Sequence, residues 1–207
     1  MILARLFEGQ KSGYFVDIGA HHPKRLSNTY HFYRKGWTGI NVDAAPGSMD
    51  LFKKIRPRDV NIECGVGANS GTLTFYLYSE PALNSFSPDT VIEDSPSDDR
   101  IRPIEKTNVE VQPLHALLET HAGNRKIDFL SVDVEGYDFQ VLKSNNWNEH
   151  RPKYVLVEIY GKSFAETLES EAGQFLLSVG YEICAKTVNT AFFRECTIDD
   201  VKGTVGA

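Results

Sequence analysis

Tyr14-Phe15-Val16-Asp17-Ile18-Gly19-Ala20-His21-His22-Pro23 decides how the rest of the chain is read. Tyr14 to Ile18 has the length and the apolar, partly β-branched makeup of a buried strand, and Gly19 lets the backbone turn tightly where that strand ends. Asp17 is expected at the turn, where a carboxylate has no packing role. In an open α/β sheet, ligands bind at the carboxyl ends of the strands. Gly39-Ile40-Asn41-Val42-Asp43 repeats the design, with Asp43 26 residues after Asp17. An acid at the end of the second strand, about 20 residues past the first glycine turn, is the usual partner of ribose hydroxyls. The first third of the chain therefore reads as a site for an adenosine-containing ligand.

Strands and helices continue to alternate after this pair. Ser27 or Asn28 can cap a helix that Gly36 stops. Thr38 to Asp43 is the second strand, and Ser48 to Ile55 a helix with Leu51, Phe52 and Ile55 on one face. Asp59 to Cys64 is the third strand, ending in Gly65-Val66-Gly67. Thr72 to Tyr78 alternates like a half-exposed strand. Residues 79–105, rich in Ser, Pro, Asp and Glu, read either as a flap over the site or as a disordered tract. Val109-Glu110-Val111 leads into a helix from Pro113 to His121. Ile127 to Val132 and Lys153 to Glu158 are strands four and five, with a helix from Tyr137 to Lys143 between them. A helix from Phe164 to Val179 precedes a hairpin of Tyr181 to Lys186 and Ala191 to Arg194. This order predicts an α/β fold with a mostly parallel, doubly wound sheet. Closed by an antiparallel hairpin, it is the arrangement of class I S-adenosylmethionine methyltransferases.

The chain's 207 residues fit one domain, 1–207, with a substantial core. A net charge of −6 argues against a general nucleic-acid grip. The one basic run, Lys53-Lys54-Ile55-Arg56-Pro57-Arg58, reads as a solvated helix end and turn. Cys64, Cys184 and Cys196 lack any paired metal-ligand spacing and read as reduced thiols of a cytoplasmic protein. No apolar run approaches the roughly 18 residues of a membrane span, and no signal peptide is visible. Ile2 to Phe7 forms a short amphipathic piece leading almost at once into the first strand. So abrupt a start also suits a domain excised from a longer, glycan-processing chain.

Two stretches carry chemistry. The loop after the first strand has only Gly19, where a dinucleotide site would have G-x-G-x-x-G to admit a pyrophosphate. A zwitterionic amino-acid tail with a sulfonium fits this acid-flanked loop better, which places S-adenosylmethionine ahead of NAD. The second stretch is Val132-Asp133-Val134-Glu135-Gly136, with Glu158 at the end of the neighbouring strand. Three acids this close share a proton, meet a cation or hold a donor. Either Asp133 or Glu135 is a general base, or Asp133 and Glu158 hold Mg²⁺ or Mn²⁺. A plainer reading has Glu135 capping the next helix and Glu158 paired with a lysine. His22 is a further candidate proton acceptor, or simply packs over the ligand with His21. Tyr76, Tyr78, Asn84 and Phe86 border the flap and either line an acceptor pocket suited to sugar rings or belong to an edge strand.

The stretches FVDIGAHHPKRLSNTYHFYRKGWTGINVDA, KIDFLSVDVEGYDFQVLKSNNW and RPKYVLVEIYG together resemble the FkbM family of S-adenosylmethionine-dependent methyltransferases, in its branch with a His-His-Pro first loop. The resemblance covers nearly the whole chain. It implies a Rossmann-like methyltransferase fold and O-methylation of a hydroxyl, with a carbohydrate as the favoured acceptor. Carried over by position, Asp17, Gly19, Ala20 and His21 line the methionine and ribose side of the cofactor, with Asn28 and Thr29 beside them. Asp43 and Ala44 meet the ribose, and Gly65-Val66 flanks the adenine. Asp133 and Glu135 fall on the family's D-x-E-G motif. The branch's S-Q-x-G-E-D-like segment ahead of the first helix has no counterpart here. Two rival readings stand beside this one. An NAD-dependent sugar oxidoreductase or epimerase is disfavoured by the missing glycines and the absent Tyr-x-x-x-Lys pair. A non-catalytic glycan-binding module is disfavoured by the acids kept at both strand ends.

Overall fold

The computed structural model describes residues 2–87, 103–160 and 163–196. In chain order the elements are α1 (Ile2–Leu6), β1 (Tyr14–Ile18), α2 (Tyr30–Arg34), β2 (Thr38–Asp43), α3 (Ser48–Ile55), β3 (Val60–Glu63), β4 (Gly65–Val66) and β5 (Gly71–Tyr78). After a 3₁₀ turn at Pro81–Leu83 come β6 (Pro103–Gln112), α4 (Leu114–His121), β7 (Phe129–Val132), α5 (Asp138–Lys143) and β8 (Tyr154–Glu158). The chain then runs through α6 (Phe164–Glu169), α7 (Glu171–Ser178), β9 (Tyr181–Lys186) and β10 (Thr190–Glu195). Among the described residues, no helix is long and apolar enough to cross a membrane.

Seven strands form the main sheet in the order β3-β2-β1-β7-β8-β10-β9. The first five are parallel, and β10 turns antiparallel between β8 and β9. The strand order reverses at β1, so a crevice opens between the carboxyl ends of β1 and its neighbours.

Because strand side chains alternate between faces, the sheet separates two cores. Val16, Ile18, Leu130, Val132, Val155 and Val157 pack against α4, α5 and α7 through Leu117, Leu118, Leu142 and Leu176. Phe15, Phe129 and Leu156 on the other face meet Leu3 and Phe7, with Phe32 from α2 and Trp37. Aromatic edges fill that second core, with the Phe32 and Trp37 rings 4.8 Å apart.

Asp17 belongs to the Phe15 face, and this corrects its expected place at the turn. It is paired with Asn41 and Ser131 inside the sheet and is only 4% exposed. The Thr29 hydroxyl donates to Asp17 Oδ2 at 2.8 Å and accepts from Arg56 Nη1 at 2.9 Å. Arg56 also meets Asp59 Oδ2 at 2.8 Å, with both side chains fully buried. Asp59 in turn accepts from the Gly39 N–H and from Asn41 Nδ2. The guanidinium stacks about equally on Phe15 and Tyr33, 5.2 Å from each ring centre. The basic run is thus split: Lys53, Lys54 and Arg58 are solvated, whereas Arg56 anchors a buried polar network.

Two element boundaries also differ from the sequence expectation. Ser170 has an extended backbone, and its hydroxyl accepts from the Gly173 N–H, so the single helix expected over 164–179 divides into α6 and α7. A side chain on Gly173 would overlap the Thr167 carbonyl, which shows how tightly the break is folded. β6 begins at Pro103, well before the expected Val109, and pairs along nearly all of β5. Its first residues, Pro103 to Lys106, are exposed and carry no apolar alternation; pairing with β5 makes them a strand. β4, β6 and β5 form a separate small sheet. Of the expected flap over 79–105, residues 88–102 lie outside the described residues.

Breaking a buried ion pair from one side strands the other charge, at a cost of roughly 3–5 kcal/mol. Arg56→Met should lower the unfolding free energy from urea melts by that order, with a lower midpoint, and adding Asp59→Asn should recover part of the loss. A midpoint within error of the native one would show that the pair contributes nothing net.

Candidate active site

The carboxyl ends of β1, β2 and β7 are tied together by backbone. Gly19 and Ala20 N–H both donate to the Val42 carbonyl at 3.0 Å, and the Asp133 N–H donates to the Ile18 carbonyl at 3.0 Å. Gly19 has φ +79°, and a Cβ there would overlap the Asp133 carbonyl oxygen. Only glycine permits this approach.

Beside that contact lies a cavity of about 270 Å³. Gly19, His21, Asp43, Ala44, Gly65 and Val66 form one wall, and Asp133, Val134 and Glu135 another. Phe75, Pro81, Ala82, Asn84 and Phe86, from the small sheet and the 3₁₀ turn, roof it. The sequence-predicted residues on both sides are therefore brought together around one space. Phe86 lies between Phe75 and Tyr137, with ring centres 4.8 and 5.4 Å away. A side chain on Gly65 would collide with the Phe86 ring, so this glycine keeps the roof close to the end of β3.

Asp43 is held by the loops on either side of it. Its Oδ2 accepts from the His21 N–H at 2.8 Å and its Oδ1 from the Ala45 N–H at 2.9 Å. Burial pushes its pKa up, against the pull of those two donors. Each oxygen keeps a further lone pair for a hydroxyl.

Four of the residues predicted to bind the cofactor, Asp17, Ala20, Asn28 and Thr29, do not line the cavity. Asn28 donates to the Ser131 hydroxyl at 3.1 Å, and burial raises Asp17 to about 6. Asn28 and Thr29 tie the loop to Ser131 and Asp17 in the sheet. His22 also stands outside: its Nδ1 accepts from the Lys24 and Arg25 N–H groups at 3.0 and 2.9 Å. That nitrogen is spent on a turn, and burial together with Arg25 lowers the ring's pKa. The reading of His22 as a proton acceptor at the site is corrected accordingly. Of the four flap residues, Asn84 and Phe86 reach the cavity while Tyr76 and Tyr78 do not.

The acids at the ends of β7 and β8 converge. Asp133, Glu135 and Glu158 each offer an oxygen within 4.8 Å of the other two. Burial raises Glu135 to about 7, with the Asp133 charge adding to it. Glu158 is pushed up to about 9, by burial first and then by Asp133. Asp133 is also raised by burial, but its hydrogen bond with Glu158 opposes the shift. The two carboxyl groups are hydrogen-bonded to each other, and burial raises both. Glu158 is therefore paired with another acid, not with a lysine, and it lies beside the cavity without lining it. Its Oε2 is buried with no hydrogen-bond partner, a position that also fits a cation.

The D-x-E-G turn depends on two residues with no motif signal. Asp138 accepts from the Val134 N–H at 3.3 Å and from the Gly136 N–H at 3.2 Å, capping the turn in place of Glu135. The only hint in the sequence is an acid in the first turn of a helix. Glu135 adopts φ +53°, and its carbonyl accepts from the fully buried Ser85 hydroxyl at 2.7 Å. Ser85 also bridges to Tyr76, so it clips the roof to the acid turn. Nothing in the irregular sequence around Ser85 pointed to it.

A parallel sheet with this strand order, its hairpin and a cavity at the reversal point define the fold of the class I methyltransferases. The family model for the methyltransferase FkbM domain matches residues 17–183, and the chain belongs to that family. The crystal structure of methyltransferase FkbM from Methylobacillus flagellatus KT superposes with a TM-score of 0.55 at 15% identity, over 89% of this chain and 44% of that one. The chain thus spans less than half the length of that relative. No curated protein sequence matches it.

Burial, and after it the Asp133 charge, raises Asp138 to about 8, far above the roughly 3.9 of an unfolded aspartate. Between these values the native protein holds a proton that the unfolded chain has released. The stability from Asp138 is complete below the unfolded value and is lost as pH rises through about 8. Asp138→Asn should flatten this decline by up to ~1.4 kcal/mol per pH unit in urea melts between about pH 5 and 8. An unaltered slope would mean that Asp138 is ionised throughout.

Proposed function

We propose that this chain is an S-adenosylmethionine-dependent O-methyltransferase whose acceptor is a hydroxyl, with a sugar as the favoured class. The observation that carries the reading is one cavity with Asp43 on one wall and Asp133 and Glu135 on the other. Ribose recognition and proton acceptance then stand on opposite sides of the same space.

The residues fit the cofactor. Asp43 has lone pairs for two ribose hydroxyls, and Gly65, Val66 and the Phe86 ring offer an apolar slot for a purine. The acids near Gly19 suit a cationic sulfonium and would repel a pyrophosphate, which disfavours the NAD reading. Bound S-adenosylmethionine supplies an electrophilic methyl group. An alcohol is about as weak an acid as water, whose pKa is near 15.7, so its proton must be accepted as it reacts. Asp133 is the favoured acceptor of that proton, with Glu135, raised to about 7, as the alternative base. The roof of Asn84 and Phe86 supports a sugar ring as acceptor, through amide hydrogen bonding and a flat apolar face. A divalent cation such as Mg²⁺ or Mn²⁺ fits between Asp133 and Glu158, where it would lower the pKa of a bound hydroxyl.

Calorimetric titration should give micromolar affinity for S-adenosylmethionine and none for NAD, and Asp43→Ala should weaken binding at least tenfold. No binding to the native chain, or equal binding by the variant, would sink the proposal. Asp133→Asn should keep cofactor affinity within a few-fold while abolishing release of S-adenosylhomocysteine in the presence of a sugar acceptor. Full turnover in that variant would remove Asp133 from the chemistry. EDTA should suppress turnover if the cation is used; an unchanged rate would leave the carboxylate acting alone.

A further inference from the structure

At the opposite end of the sheet, before β7 and β8 begin, a second cavity of about 510 Å³ lies between the end of α4 and the turn that feeds β8. Glu119 from α4 and Glu149 and His150 from that turn all line it. One carboxylate oxygen from each glutamate and a ring nitrogen of His150 lie within 4.8 Å of one another. His150 is only 8% exposed, and its Nε2 is buried with no hydrogen-bond partner. A buried polar nitrogen left unsatisfied is destabilising. The residue is nevertheless fixed in place: its N–H donates to the Asn146 carbonyl, and its own carbonyl accepts from Asn145 Nδ2, both at 2.9 Å.

Two of the three cations that line the cavity, Arg125 and Arg151, are engaged elsewhere. Arg125 Nη1 donates to the His121 carbonyl, and Arg151 pairs with Glu195 while donating to the Trp147 and Val179 carbonyls. Among the described residues, neither Glu119 nor Glu149 makes an ion pair, with Lys126 or with any other cation.

We propose that Glu119, Glu149 and His150 form a binding site for a divalent transition-metal ion of the Zn²⁺ class, separate from the methyl-transfer cavity. One imidazole and two carboxylates suit Zn²⁺, with solvent completing a tetrahedron, better than Mg²⁺ or Ca²⁺, which favour all-oxygen shells. Bonds of about 2.0–2.2 Å put tetrahedral donors roughly 3.4 Å apart. Exposed glutamate side chains can close that remaining gap by rotation. The bound ion would fasten α4 to the turn entering β8, and it would stabilise the folded chain by mass action.

The test titrates metal-free protein with Zn²⁺ by calorimetry and with Co²⁺ by visible absorption, and follows thermal melting with Zn²⁺ or EDTA present. The expected result is one Zn²⁺ per chain at this site, a raised melting temperature and a Co²⁺ band that His150→Gln removes. Glu119→Gln and Glu149→Gln should each weaken Zn²⁺ binding at least tenfold and leave metal-free melting unchanged, since both side chains are exposed. Asp133→Asn, at the other acid cluster, should leave this site's affinity intact. Native-like Zn²⁺ binding in both glutamine variants, binding that follows Asp133→Asn instead, or no stoichiometric binding at all would overturn the proposal.

Discussion

Residue 19 carries no side chain, and the Asp133 carbonyl oxygen fills the space where one would sit. That approach, with the hydrogen bonds from Gly19 and Ala20 to Val42 and from Asp133 to Ile18, locks three strand ends into one frame. Asp43 and the D-x-E-G turn can face one cavity only while that frame holds. A methyl group at position 19 would separate β1 from β7 at their functional ends, and the two walls would move apart.

The chain concentrates its buried acids around this frame and satisfies them in two different ways. On the α2–α3 side, Asp17 and Asp59 are met by the Thr29 hydroxyl and the Arg56 guanidinium, so charge is paired with charge and the loops carrying His21 and Asp43 gain a rigid base. On the cavity side, Asp133 is hydrogen-bonded to Glu158 and Asp138 accepts from two backbone N–H groups, and burial pushes the pKa values of Asp133, Glu135, Glu158 and Asp138 upward. The Ser85 clip ties this cluster to the roof, so closure over the cavity and the conformation of Glu135 are coupled through one hydrogen bond.

The parallel strands, their order of appearance and the terminal hairpin were legible because each strand is a short apolar run bounded by a glycine or an acid. Asp43, Asp133 and Glu135 could be found for the same reason, as acids at the carboxyl ends of such runs. Asp17 was misread because two positions before a glycine turn looks like a strand end, whereas the pleat sends that side chain to the Phe15 face. His22 looked like a site residue by adjacency, but its ring nitrogen is occupied by two backbone donors of its own loop. Arg56 was indistinguishable from Lys53 and Lys54 in a basic run; only the packing of Phe15, Phe52 and Tyr33 around its guanidinium shows that it is buried.

The sequence by itself determined the α/β class, the family and the acids at the ends of the strands, since these rest on local periodicity and on motifs contiguous in the chain. The tertiary structure alone decided which acids meet one another, which loops form the roof, and that Glu119 meets Glu149 and His150. Those facts depend on contacts between residues dozens of positions apart. Burial and distance, which set a carboxylate's pKa and a donor set's reach, exist only once the chain has folded.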